Sequence, residues 1–303
     1  MRTEKNRAES VRHRLRNLLR ERGEDIQFGL QRYAIERFLY RLGVSPYRNT
    51  FILKGAALYA VWGGSIYRPT RDLDFTGYCG PEEGEILVAM REICVLPNIP
   101  DAILFDPESL NFSPIRHDSD YHGLRVQLRA TLGESQIPIQ IDIGFGDAIY
   151  PPAQEVDYPS LLGDPCPRIR AYPPEAVVAE KLHTMVMQGE RNSRYKDFYD
   201  IVILLGQFTF KGEALAKAVA STFERRRTKI GASTPSAFEK GFYADTARSQ
   251  QWRAFLATNN LPAPSDDFLS VGNLILEFLV PVWESLAAQQ KFTLIWSPGG
   301  PWK

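Results

Sequence analysis

Asp72 and Asp74, in the run Arg68-Pro69-Thr70-Arg71-Asp72-Leu73-Asp74-Phe75, have the types and spacing to do chemistry. On a strand, alternate side chains share a face. Both carboxylates then project together, about 6–7 Å apart along the backbone, while Leu73 and Phe75 point to the opposite, buried side. Such a pair suits a hard divalent cation, because Mg2+ takes oxygen ligands and is usually shared between one or two carboxylates and phosphate oxygens. Arg68 and Arg71 flank the pair, where guanidinium groups could hold a triphosphate while the aspartates hold its metal. Gly55 follows the apolar run Phe51-Ile52-Leu53-Lys54 and is placed to end a strand and open a helix, which lets backbone N–H groups approach a phosphate. Asp142 lies on the polar face of a strand otherwise built from isoleucines and is a candidate third metal ligand. An Asp-x-Asp tripeptide alone is a weak signal, since a solvent-facing pair needs no ligand.

Further along, Lys181 falls in the middle of a helical stretch, and Arg194, Asp197 and Asp200 recur three residues apart, so they share a helix face and can pair with one another. Lys181 suits a point charge on phosphate; Asp197 and Asp200 fit either a structural ion pair or a catalytic role. His183, two positions from Lys181, faces another side and reads as a packed residue. His117, Asp118, Asp120 and His122 look like metal ligands but sit in an expected hairpin loop without ligand spacing.

Positioning these residues requires an ordered set of elements. Val11, Leu15, Leu18 and Leu19 make the apolar stripe of a helix over 1–22, and a second helix is expected over 26–42. Strands are expected at 51–55, 71–77 and 103–105, with helices at 56–62 and 82–94 between them. Two alternating stretches follow: Leu124, Val126 and Leu128 against Arg125, Gln127 and Arg129, then Ile137, Ile139, Ile141 and Ile143 against Gln140 and Asp142. Seven prolines between 151 and 174 interrupt regular structure. Helices are expected over 175–188, 195–205, 212–226 and 267–289, with 228–266 irregular and 297–303 frayed. The division expected is N-terminal helices (1–48) packing on a core (49–150), a proline-rich connection (151–174) and a C-terminal helical domain (175–303).

At 303 residues the chain is long enough for two packed units. Lys+Arg and Asp+Glu are equal at 36 each, which excludes indiscriminate polyanion binding, yet residues 1–22 carry eight Lys/Arg against Glu4, Glu9 and Glu21, an excess of five. Arg225, Arg226, Arg227 and Lys229 form a second basic group. Three cysteines without paired spacing support neither a disulfide framework nor a zinc knuckle, and no secretion or membrane-spanning signal is read, so a cytoplasmic location with no membrane partner is expected.

The order strand, glycine, helix, Asp-x-Asp strand, third-Asp strand resembles the polymerase-beta-like nucleotidyltransferase superfamily, most closely its AbiEii/AbiGii-type toxin branch, which includes the mycobacterial MenT-type toxins. Four motifs carry the resemblance: Leu53-Lys54-Gly55-Ala56-Ala57-Leu58 leading to Asp72 and Asp74; Ile141-Asp142-Ile143; Glu180-Lys181-Leu182-His183; and Arg194-Tyr195-Lys196-Asp197-Phe198-Tyr199-Asp200. They cover about Phe51 to Leu205. Ala56 departs from the pattern, which often has a second Gly or a Ser there, and this predicts an altered nucleotide grip. The resemblance implies an α+β fold, with a mixed-sheet nucleotidyltransferase core, N-terminal helices and a C-terminal helical bundle. It implies Asp72, Asp74, Asp142, Lys181 and Asp200 as catalytic and Asp72, Asp74 and Asp142 as ligands of Mg2+ or Mn2+. Gly55, Ala56, Arg68, Arg71, Lys181 and Asp197 would contact a nucleoside triphosphate.

The chemistry so implied is nucleotide transfer from a nucleoside triphosphate to an RNA acceptor, above all the 3′ end of tRNA, by the toxin of a toxin–antitoxin pair with a cognate antitoxin as partner. One alternative is a catalytically degenerate nucleotide- or partner-binding domain. Another is a haloacid-dehalogenase-type phosphatase, because Asp72-Leu73-Asp74-Phe75-Thr76 fits Asp-x-Asp-x-Thr; the segment before Asp72 lacks that family's apolar strand.

Overall fold

The computed structural model describes residues 2–63, 70, 72–78, 80, 82–97, 99–117, 121–231, 233–262 and 265–303, with the side chains of 2–5, 116, 117, 121 and 122 outside that description. Two compact units result. The first comprises residues 1–146 and 154–171, the second 147–153 and 172–303.

In the first unit, α1 (Arg2–Arg22) buries Val11, Leu15 and Leu19 of the expected stripe together with Ala8, while Leu18 is half-buried, and leaves Arg7, Arg14, Arg16, Arg20 and Arg22 exposed. Gly23 ends it, and Asp25 caps α2 (Ile26–Val44) by accepting a hydrogen bond from the Phe28 N–H at 2.8 Å. α2 is the main helix on the sheet, burying Tyr33, Phe38, Leu39 and Leu42. It also buries charge: Arg37 and Arg41 both donate to Asp101, at 3.0 and 2.6 Å, and Glu36 accepts from the Leu161 N–H at 2.8 Å. This network fastens α2 to two loops.

The strands are β1 (Phe51–Lys54), β2 (Asp72–Gly77), β3 (Ile103–His117), β4 (Tyr121–Leu132), β5 (Ser135–Phe145), β6 (Gln154–Asp157) and β7 (Arg168–Ala171). Their order in the sheet is β3-β4-β5-β2-β1-β7-β6, with β2 parallel to β5, β1 parallel to β7, and the other neighbours antiparallel. Between β1 and β2, Gly55–Ala57 forms a 3₁₀ turn and a short helix, Leu58–Gly63, follows; a second helix, Glu83–Cys94, lies between β2 and β3. Three expectations are corrected. The helix after Gly55 starts at Leu58 rather than Ala56, β3 is far longer than 103–105, and the proline-rich stretch contributes β6 and β7 to the sheet. β3 and β6 are edge strands, where prolines and irregularity are tolerated because one side carries no ladder.

The second unit is helical. Pro173-Pro174 opens a helix at Pro174–Gln188, stopped by Gly189. Helices at Tyr195–Gln207, Gly212–Arg225, Lys240–Ala244, Thr246–Thr258 and Phe268–Ala287 follow, with a two-stranded ribbon pairing Phe210–Lys211 to Ile295–Trp296. Phe268 sits among Tyr195, Phe198 and Trp252, with ring centroids 5.4–5.5 Å away. Residues 228–266 are thus less irregular than expected. The end of the chain is ordered rather than frayed: Trp302 stacks on Phe278 with centroids 5.2 Å apart and donates its indole N–H to the Phe278 carbonyl at 3.0 Å. Phe268–Ala287 is long and apolar enough to cross a membrane by length and composition, and it buries Phe268, Val271, Ile275, Phe278, Leu279 and Val282 within this unit, as the core helix of a packed domain does.

Candidate active site

The sheet register brings the candidate residues of the first unit into one row. Lys54 of β1 is directly opposite Asp74 of β2, Asp74 opposite Asp142 of β5, and Asp142 opposite Arg125 of β4. Directly paired residues project to the same face, so four adjacent strands present a cation, two carboxylates and a second cation in line. Asp72 is on the same face two residues along, opposite Gln140. Carboxylates side by side on neighbouring strands repel and lower stability. A sheet carrying such a pair is the kind of local conflict expected where a site is built rather than where only the fold is served.

Two contacts sharpen the row. Gly55 has φ +71°, a conformation glycine adopts at little cost, and a Cβ there would lie 2.0 Å from Asp74 Oδ2. The glycine therefore makes the room in which the Asp74 carboxylate rests. Arg125 forks onto Asp142, its Nε donating to Oδ1 at 2.8 Å and its terminal nitrogen to Oδ2 at 2.7 Å. Asp72 and Asp74 are half-buried, beneath which Leu73 and Phe75 are fully buried, as the alternation requires.

Oxygen donors on one face have the right chemistry for Mg2+ or Mn2+. Among the described residues, however, no three His, Cys, Asp or Glu side chains converge closely enough to hold a metal ion. Asp142 is committed to Arg125. Asp72, Asp74 and Asp142 are hard oxygen donors of the kind such a cation takes, but as placed they do not form a cage, and Asp142 would have to turn from its arginine to join one.

The second unit carries its own charge cluster. Lys181 donates to Asp197 at 2.9 Å and to Asp200 at 2.7 Å, and Arg194 Nε donates to the other Asp197 oxygen at 2.7 Å. Asp197 and Asp200 are almost fully buried. Burial pushes the Asp197 carboxyl up, but Lys181 and Arg194 outweigh it and bring it down to about 2. Burial likewise opposes the Lys181 charge, and the two aspartates outweigh it, raising the ammonium above its ordinary value. His183 packs edge-on against Phe223, with its ring nitrogens against Thr228 and Arg226; burial, then Arg226, lowers it to about 4.

A sequence model of the nucleotidyl transferase AbiEii toxin family, of type IV toxin–antitoxin systems, matches residues 37–273. The chain belongs to the AbiEii family. It is accordingly a nucleotidyltransferase of a toxin–antitoxin type. No curated protein matches the chain. Two solved Helicobacter pylori structures are similar over 84% of it: JHP933, at 15% identity, 90% coverage of that chain and a TM-score of 0.44, and a provisionally assigned nucleotidyltransferase, at 16%, 92% and 0.42.

Within this AbiEii chain the structure joins Gly55, Asp74 and Asp142 in one row and Lys181, Asp197 and Asp200 in one cluster. Ala56 is buried in the 3₁₀ turn. Arg68, Arg71, Asp118 and Asp120 lie outside the described residues, as do the side chains of His117 and His122. The described contact at Gly55 is with Asp74, whose carboxylate occupies the space a side chain there would fill. Asp72 is the first described residue of β2, and the family match favours nucleotidyl transfer over the phosphatase alternative. Arg226 reaches toward Glu180 at 3.4 Å and Asp147 at 3.9 Å, so the second basic group spends one member internally.

Sequence reasoning missed Lys54 and Arg125. For Arg125 the signal was present: Gly133-Glu134 is a two-residue turn between the alternating stretches, and counting back from it pairs Arg125 with Asp142.

Proposed function

We propose that this AbiEii protein transfers a nucleotidyl group from a nucleoside triphosphate to a hydroxyl of RNA, most favourably the 3′ end of tRNA, in a metal-dependent reaction. The observation that carries the proposal is the Lys54–Asp74–Asp142–Arg125 row, two carboxylates bracketed by two cations on one sheet face. The acceptor oxygen forms a bond to the α-phosphorus, the bond to the bridging oxygen of the β-phosphate breaks, pyrophosphate leaves, and the hydroxyl proton passes to solvent. A divalent cation held by Asp72 and Asp74, with Asp142 as third ligand, would lower the cost of the charge that develops on the phosphoryl oxygens.

The chain's own groups do the positioning. Gly55 leaves room for the Asp74 carboxylate, and in the proposal the backbone N–H groups of Gly55 and Ala56 meet the triphosphate. Lys54, and in the proposal Arg68 and Arg71, face the negative charge of the triphosphate. For the second unit the proposal is that Lys181 offers a cation to nucleotide phosphate and Asp200 a carboxylate, with Asp197 occupied by Arg194. The exposed arginines of α1 support an RNA acceptor, since they place solvated positive charge on both flanks of the buried stripe, within reach of phosphates. An antitoxin is the cognate protein partner, and the cytoplasm, where tRNA and triphosphates occur, is the proposed location.

The test incubates the purified chain with each α-labelled triphosphate, Mg2+ or Mn2+, and total RNA. Label entering RNA of tRNA size supports the proposal. Binding of triphosphate without transfer under every metal tried refutes it in favour of a degenerate binding domain.

A further inference from the structure

Both oxygens of Asp142 are engaged by a single guanidinium, that of Arg125. A bidentate arginine takes the same face of a carboxylate that a cation would approach. The Asp72 and Asp74 charges reach Arg125 as well, so it balances the whole acidic group rather than one member. Arg125 is also able to leave: its side chain is 39% exposed, against 20% for Asp142, and it stands on β4 at the outer side of the row.

We propose that Arg125 is a built-in placeholder cation, which occupies Asp142 until a divalent ion arrives and then yields the carboxylate to it. This rests on the metal-dependent reading of Asp72, Asp74 and Asp142. The arrangement has a physical purpose. Without a counter-charge, neighbouring carboxylates would repel or take up protons, and the β2–β5 pairing would be weakened where the site is built. Arg125 on the Asp142 side, with Lys54 opposite Asp74, offsets that repulsion. The cost is that a metal must compete with a guanidinium for its third ligand.

The experiment measures Mn2+ binding to the full chain without nucleotide, following the electron paramagnetic resonance signal of free Mn2+. Wild type is compared with Arg125→Gln, Arg125→Lys, Asp142→Asn and the double variant Asp72→Asn/Asp74→Asn. Removing the competitor should tighten Mn2+ binding about tenfold in Arg125→Gln, as loss of one nearby positive charge at a part-solvated site would. Arg125→Lys, which keeps the charge without the fork, should fall between the two and serves if the glutamine variant folds poorly. Binding that is unchanged or weaker in both arginine variants, yet abolished in the double aspartate variant, overturns the placeholder and leaves the metal reading standing. Binding no tighter in wild type and Arg125→Gln than in the double aspartate variant overturns the metal reading itself.

Discussion

Gly55→Ala isolates the packing on which the acidic row depends. The added Cβ would sit 2.0 Å from Asp74 Oδ2 and 2.7 Å from its Cγ, whereas ordinary contact begins near 3.4 Å, so the carboxylate must retreat by more than an ångström. The backbone adds a cost of its own, because φ +71° charges an alanine about 1–2 kcal/mol. Displacement of a reacting group by about 1 Å typically lowers turnover about 100-fold. Gly163 supplies the control: its φ is +75° and nothing lies within 4 Å of its Cβ position, so Gly163→Ala carries the backbone cost alone. The assays are urea unfolding and the initial rate of label transfer from triphosphate to RNA. Gly163→Ala should lose about 1 kcal/mol and keep its rate. Gly55→Ala should lose at least as much stability and about two orders of magnitude in rate. A Gly55→Ala rate within about threefold of wild type would show that Asp74 is not positioned by its contact with the glycine.

Other consequences are as direct. Asp72→Ala should abolish transfer while the unfolding midpoint stays close to wild type, because the side chain is only half-buried. Asp101→Ala leaves Arg37 and Arg41 buried without their shared partner and should destabilise the first unit by about 3–5 kcal/mol in urea. His183 is neutral in the fold and protonates more readily unfolded; the stability it contributes is complete above pH 6.5 and lost as pH falls toward 4, on the order of 3 kcal/mol. His183→Gln should flatten that window, read by tryptophan fluorescence, since Trp252, Trp283, Trp296 and Trp302 report on the second unit. Asp197, held at about 2, contributes stability above pH 4 that is lost only between about 4 and 2, and Asp197→Asn should remove that acid-sensitive step.

The sequence was most legible where period and punctuation agreed. α1, α2 and the β4–β5 pair follow from apolar spacing bounded by Gly23, Asp25 and Gly133. β3 escaped because Pro107, Ser109, Asn111 and Pro114 break its alternation, which an edge strand with a bulge between Asp106 and Asn111 tolerates. The helix Thr246–Thr258 escaped because it buries little beyond Trp252 and Leu256, leaving hardly any period to detect. Within the site, Asp72 and Asp74 were visible as a pair through strand alternation. That Asp74 stands beside Asp142 depends on β2 and β5 lying parallel, a pairing across more than sixty residues of chain that no local pattern encodes. Lys181 with Asp197 and Asp200 was half legible: helical spacing aligned the aspartates, and only packing supplied the lysine.

The two-residue turn at Gly133-Glu134 has a bearing on how such a chain can vary. Surface turns are ordinarily where insertions and deletions accumulate. Here Arg125 and Asp142 each stand eight residues from the turn, about 27 Å along the strands, yet their pairing is fixed by its length. One added residue, if taken up by slippage, would turn one strand's side chains to the other face of the sheet and separate the pair. A length change at this exposed, chemically silent tip would therefore be inherited as a defect in the acidic row, and homologous chains with an intact row should vary in the identity of these two residues far more readily than in their number.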